Sequence, residues 1–168
     1  MPRRPLRLLL AVFALTSVAV AHAADQPPVA VIEDAPWSPG DAPREGAGEF
    51  AVLLQLAALQ RAHEHVGLVG VGDELGRFQL GTQRGLEFAA RHGVPVVRLA
   101  RGQTRTAAGD GDDFIPGGRL GADAARLLLA QCLARFGPLP SDDTARRAKL
   151  ARYRAAFREA QPEFVASK

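Results

Sequence analysis

Cysteine is nearly absent: Cys132 is the only one in 168 residues. An internal disulfide, and any fold built on a disulfide framework, is therefore excluded. Cys132 lies in the apolar helical stretch Ala124-Ala-Arg-Leu-Leu-Leu-Ala-Gln-Cys-Leu133. That setting predicts a buried, inert thiol, because reactive cysteines need exposure and electropositive surroundings. Serine is scarce as well. Past residue 24 only Ser38, Ser141 and Ser167 occur, and none sits in a G-x-S-x-G nucleophile elbow. Thr82, Thr104, Thr106 and Thr144 lie in no recognisable nucleophile setting, so no nucleophile with an adjacent base is legible.

A surplus of positive charge is also missing once its source is located. The formal net charge is +3, but Arg3, Arg4 and Arg7 are the only charges before Asp25. The remainder is balanced, with arginines scattered among acids. Nucleic-acid binding, which needs clustered positive charge on the folded domain, is therefore not expected.

A membrane-length apolar run is lacking too. Residues 8–20 carry no charge, but a span needs about 20 apolar residues. The basic segment before this run and the small residues Ala21 and Ala23 after it complete a secretory signal in the right order. Cleavage is expected after Ala23 or Ala24, with delivery to the periplasm or the medium and no stable membrane anchor. Roughly 144 residues then remain, which suits one domain. The expected organisation is a signal at 1–24, one α/β domain at 25–160 and a loose tail at 161–168.

Within the domain, Val29-Ala-Val-Ile32 reads as a strand. Residues 34–48 hold three prolines and three glycines and read as a loop. Residues 50–65 show near-helical apolar spacing. The apolar run 66–71 reads as a strand covered on both faces. Residues 78–92 fit a helix stopped by Gly93, followed by a strand over 95–100. Residues 103–113 are polar and Gly-rich, hence an exposed loop, and Phe114-Ile115 reads as a short last strand. Residues 120–136 form the clearest helix, closed by Gly137-Pro138. Ser141-Asp142-Asp143 reads as the N-cap of a final helix reaching about residue 157. This order predicts a three-layer, Rossmann-like α/β fold: a small, mostly parallel sheet of about four strands flanked by helices.

Three motifs bear on function. Val69-Gly-Val-Gly-Asp-Glu74 ends the second strand, at the edge where open parallel sheets bind ligands. Gly70, Gly72 and Gly76 make G-x-G-x-x-x-G, one residue longer than a dinucleotide fingerprint, and acids crowd the phosphate position. The bland reading is a strand-to-helix turn with Asp73 or Glu74 near a helix N-terminus. His63 and His65 lie two apart and cannot converge on a metal from one helix. Asp110, Asp112 and Asp113 sit among glycines in a pattern that suits oxygen ligation of calcium, but without EF-hand spacing. A solvated loop is the default there.

Two longer segments resemble a known family. Gly67-Leu-Val-Gly-Val-Gly-Asp73, the following helix and His92-Gly-Val-Pro-Val-Val-Arg-Leu-Ala-Arg101 are similar to the C-terminal domain of bacterial L-asparaginases and glutaminase-asparaginases. So is Phe114-Ile-Pro-Gly-Gly-Arg-Leu-Gly-Ala-Asp-Ala-Ala-Arg-Leu-Leu-Leu129, and Pro28-Val-Ala-Val-Ile-Glu33 sits where that domain begins. The resemblance covers residues 28–153. In the family the catalytic threonines, tyrosine, aspartate and lysine belong to a larger N-terminal domain. This sequence contains neither a Thr-Gly-Gly-Thr nor a Thr-Asp-Thr segment.

The resemblance implies that the C-terminal domain lends polar groups to a neighbouring subunit's site. Asp73 takes the place of the first asparagine of a Gly-Asn-x-Asn stretch. Leu75, in the second place, has no group to hydrogen-bond a substrate. Asp110 or Asp112 is the nearest match to an acid in the following loop. The implied ligand-binding set is Gly70, Gly72, Asp73, Glu74, Asp110 and Asp112, with no catalytic residue, metal or cofactor. The expected role is binding or assembly, with a homo-oligomer or a separately encoded N-terminal half as partner and a small amino-acid-like ligand. The alternative is an L-asparagine/L-glutamine amidohydrolase, alone or completed by such a half.

Overall fold

The structure, a computed structural model, describes residues 27–34, 47–102 and 113–161. Among these residues four parallel strands stand in sequential order: β1 (Val29–Glu33), β2 (Gly67–Val71), β3 (Val96–Leu99) and β4 (Ile115–Pro116). Val31 pairs with Val69, Val69 with Val97, and Val97 with Ile115, so one register row crosses the whole sheet. Pro116 can end the ladder because β4 is an edge strand.

Helices α1 (Ala47–Ala62) and α2 (Leu80–Arg91) follow β1 and β2. They cover one face of the sheet, where Val52, Leu56, Leu86, Ala89 and Ala90 pack on Ala30, Ile32, Leu68 and Val96. Helices α3 (Ala122–Phe136) and α4 (Asp143–Glu159) follow β4 and cover the other face. There Leu129, Leu133, Leu150, Tyr153 and Phe157 bury Val69, Val97, Leu99 and Ile115. With both faces covered, β2 reads as a continuous apolar run rather than an alternating one, and β3 is interrupted only by Arg98. The three-layer α/β arrangement matches the expectation.

Local signals account for most element ends. Gly93 takes φ +85 after α2, and Gly137 takes φ +71 after α3, a left-handed geometry that glycine adopts without strain. The Asp142 carboxylate accepts from the Ala145 N–H at 2.8 Å and caps α4, as the Ser-Asp-Asp run predicts. Cys132 is buried, and burial pushes its thiol pKa up.

The structure moves some expected boundaries. Helix α1 begins at Ala47, so Gly48 is helical rather than part of the preceding loop. The reason is tertiary: a Cβ at Gly48 would stand 2.7 Å from the Thr82 hydroxyl, and one at Gly85 would stand 2.8 Å from Val52 Cβ. The two glycines let α1 and α2 approach closely. The same helix ends at Ala62, leaving His63, Glu64 and His65 beyond it. Gln161, where the sequence places the start of the tail, is anchored. Gln161 accepts from the Arg119 N–H at 2.7 Å and donates to the Gly117 and Phe157 carbonyls at 3.1 and 2.8 Å. The expected signal at 1–24, the segment 35–46 expected to be a loop and residues 162–168 lie outside the described residues.

Candidate functional site

Because all strands are parallel, their carboxyl ends meet along one edge of the sheet, and the connecting loops are stitched together there. The Asp34 N–H donates to Val71 O at 2.9 Å, Gly72 N–H to Leu99 O at 3.0 Å and Gly117 N–H to Arg98 O at 2.8 Å. These bonds extend the ladder past the strands and fix the loop that follows β2.

That loop closes on itself. The Gly76 N–H donates to Asp73 O at 2.9 Å, and the Asp73 N–H donates to Arg77 O at 2.8 Å. The Asp73 carboxylate accepts from Leu75 N–H at 2.9 Å, from Arg77 N–H at 2.8 Å and from Arg77 Nε at 2.8 Å. These bonds, with the Arg77 backbone N–H first among them, hold the carboxyl below its ordinary pKa. Gly72 is needed because a Cβ there would stand 2.5 Å from Arg77 O. Gly70 is needed for packing, since a Cβ would stand 2.8 Å from Leu86 Cδ1. Glu74 and Leu75 project from the turn and are exposed.

The charge at the N-terminus of α2 comes from elsewhere. Asp34, just past β1, accepts from Gln79 N–H at 2.6 Å and from the Thr82 hydroxyl at 2.9 Å. It thereby satisfies a donor of the first helical turn that would otherwise face solvent alone. The Asp73 carboxylate is turned onto Leu75 and Arg77 instead. Arg101 Nη2 donates to Asp34 O at 2.6 Å, tying the end of β3 to the end of β1. The Arg98 guanidinium lies 5.2 Å from the Phe78 ring centroid and 5.0 Å from that of Phe114. Its Nη2 donates to Gly76 O at 3.0 Å. A cation between two rings is held by their quadrupoles, and here it braces the turn from below.

The structure therefore brings Gly70, Gly72, Asp73 and Glu74 to one edge. Asp110 and Asp112 lie outside the described residues. Asp113 faces Arg146, whose Nε is 3.6 Å from its Oδ1. Among the described residues no group of three or more His, Cys, Asp or Glu side chains is gathered to hold a metal ion. Sequence reasoning misses Asp34, Thr82, Arg98 and Arg101. Arg98 does carry a signal, a lone charge inside an apolar strand. Asp34 and Thr82 carry none, since their contact spans 48 positions.

Of the four hydroxyl groups among the described residues, those of Thr82 and Tyr153 are committed, while Ser141 and Thr144 are exposed. Thr82 pairs with a carboxylate at 2.9 Å, the geometry a base-activated nucleophile would have. It is 5% exposed, however, and the second oxygen of Asp34 is held by the Gln79 N–H. This pair works as a cap. The Tyr153 hydroxyl is buried and donates to Gly137 O at 2.7 Å. Thr144 is exposed in the first turn of α4, on the layer opposite α2. Thr104 and Thr106 lie outside the described residues.

Among solved structures, the probable cytoplasmic L-asparaginase of Campylobacter jejuni shares the fold, with a TM-score of 0.56 over 82% of this chain and 20% sequence identity. The chain spans 38% of the length of that protein. No family model matches the sequence, and no curated protein matches it. The likeness establishes an asparaginase-like α/β fold.

Proposed function

We propose, taking the asparaginase-like fold as premise, that this chain is an exported counterpart of the asparaginase C-terminal domain that hydrolyses no amide by itself and acts by binding or assembly. The observation that carries this reading is the closed turn after β2. Asp73 stands where the family places a substrate-facing asparagine, yet its carboxylate accepts three bonds from within its own turn. Leu75, beside it, offers only an apolar side chain. The engaged Thr82 and Tyr153 hydroxyls support the same reading, as does the buried thiol of Cys132. Export is supported by the order of charged, apolar and small residues over 1–24.

The test expresses the full chain in a Gram-negative host and purifies the product from the periplasm. N-terminal sequencing is expected to start at Ala24 or Asp25, and an unprocessed product in the cytoplasm would sink the export reading. Circular dichroism confirms the fold, and ammonia release is measured with L-asparagine and L-glutamine. A folded sample without turnover is the expected result. Turnover that survives repurification and disappears in Asp73→Ala would overturn the non-hydrolytic reading in favour of an asparaginase-type amidohydrolase.

A further inference from the structure

Helix α1 is apolar on the wrong side as well as the right one. Its inward residues Val52 and Leu56 are buried in the core. A surface helix ordinarily carries charged or polar residues on the opposite face. Here that face presents Phe50, Leu54, Ala57 and Arg61, four residues that line up at helical spacing. Phe50 is 67% exposed and Leu54 59%. Ala51 and Ala58 flank the stripe and are exposed as well. Between residues 50 and 60 the only polar side chains are Gln55 and Gln60. On the neighbouring helix of the same layer, Leu80 and Phe88 are also exposed.

The order of residues along the stripe selects an occupant. The large apolar groups lie toward the N-terminal end of α1, the small ones toward the C-terminal end, and a cation closes it. A two-fold axis relating antiparallel copies of such a stripe matches it to itself. Leu54 falls opposite Ala57 of the second copy, with Ala58 of that copy beside it, so a large side chain meets a gap. Phe50 falls opposite Arg61 of the second copy, an aromatic face against a guanidinium. Both contacts occur twice, as an isologous interface requires. A parallel arrangement would put Phe50 on Phe50 and Arg61 on Arg61 and would bring like charges together.

We infer that α1 is a homodimerisation surface on which two copies of this chain pair antiparallel across Leu54 and Ala57. The inference names the partner in the assembly part of the proposed function and rests on it there alone, because its readout is mass and cross-linking rather than turnover. A helix of 16 residues gives a strip only about 24 Å long. The dimer is therefore of the weak, concentration-dependent kind.

The experiment is sedimentation of the purified full-length product from about 1 µM to about 1 mM, alongside Leu54→Glu. Leu54 is exposed, so this variant keeps its core, and circular dichroism verifies that it does. Wild type is expected to pass from monomer to dimer across that range and Leu54→Glu to remain monomeric. Orientation is read by oxidative cross-linking. A mixture of Phe50→Cys and Arg61→Cys chains is expected to link heterotypically, with little linking of Phe50→Cys alone. A wild-type chain that stays monomeric throughout, even if another protein is found on this face, overturns the inference. So does a dimer that survives Leu54→Glu, or efficient Phe50→Cys self-linking. None of these outcomes bears on ammonia release, so failure here and failure of the non-hydrolytic reading are told apart.

Discussion

The Asp34 carboxylate at the end of β1 receives the Thr82 hydroxyl at 2.9 Å, which joins the first strand to the second helix of the layer above it. The same carboxylate holds the Gln79 N–H, so Asp34 caps α2 from a distant part of the chain. Asp34→Ala removes both bonds and is expected to lower stability by about 1–2 kcal/mol, the range of a lost N-cap. Thr82→Val removes one bond and is expected to cost about 1 kcal/mol. Because the pair shares an interaction, the double variant should cost less than the sum of the singles. Urea denaturation of the three variants checks this, and strict additivity would mean that the bond contributes nothing.

This relationship also marks where the sequence stops being informative. Helices α3 and α4 are legible because their signals are local: apolar spacing, Gly137-Pro138 and the Asp142 cap all lie within a turn of the ends they define. The parallel sheet is legible because β2 is apolar throughout and β3 is apolar but for Arg98. The capping of α2 is illegible. Asp73 and Glu74 stand close in sequence and look like the charge its N-terminus needs, while Asp34 is distant and looks like the start of a loop. Gly48 misleads for a similar reason. Glycine disfavours a helix locally, and only contact with Thr82 explains its place in α1. Of the candidate site, the glycines and Asp73 are visible as a turn, but the carboxylate's turning inward depends on Arg77, whose role no spacing rule announces.

Asp73 makes the stability of the turn dependent on acid. Its carboxyl is held below the ordinary value chiefly by the Arg77 N–H, which, with the Arg77 side chain and the Leu75 N–H, outweighs an opposing desolvation. A carboxyl depressed in the fold contributes stability above its unfolded pKa, and that contribution is lost as pH falls through the folded value. The window therefore opens near the ordinary value of about 3.9 and extends below it. Asp73→Asn is expected to show a shallower loss of stability over that interval than wild type while differing little in slope above pH 5. Thermal denaturation at a series of acidic pH values measures this. Identical acid limbs in the two proteins would show that the carboxylate is not held as described.

Tyr153 gives the opposite limb. Its hydroxyl is buried against Gly137 O, and burial raises its pKa, with nearby Cys132 adding to the effect. A group raised in the fold contributes stability below its unfolded pKa, lost as pH rises toward the folded value. The loss begins near pH 10, about where an unfolded tyrosine ionises. Tyr153→Phe keeps the ring packed on Phe136, 5.4 Å between centroids, but leaves the Gly137 carbonyl without this donor. A cost of about 1–2 kcal/mol at neutral pH is expected, together with a flatter alkaline limb. Spectrophotometric titration at the phenolate band is expected to show no ionisation in folded wild type until it unfolds.

Gly72 tests whether the turn after β2 is built as described. A Cβ there would stand 2.5 Å from Arg77 O and 2.9 Å from Gly76 C. Both are backbone atoms, so no side chain can swing aside to make room. Gly72→Ala must therefore open the turn, separating Asp73 from the Arg77 and Leu75 amides. Gly102→Ala is the control. Gly102 has φ +82 and nothing within 4 Å of its added Cβ, so its variant carries only the left-handed backbone penalty of about 1–2 kcal/mol. Gly72→Ala is expected to cost more and to shift the Leu75 and Arg77 amide resonances, whereas Gly102→Ala leaves those two unchanged. On the proposed non-hydrolytic reading the closed turn withholds Asp73 from a ligand, so an opened variant is expected to bind L-asparagine where wild type does not, and equal lack of binding in both would count against the turn as the cause.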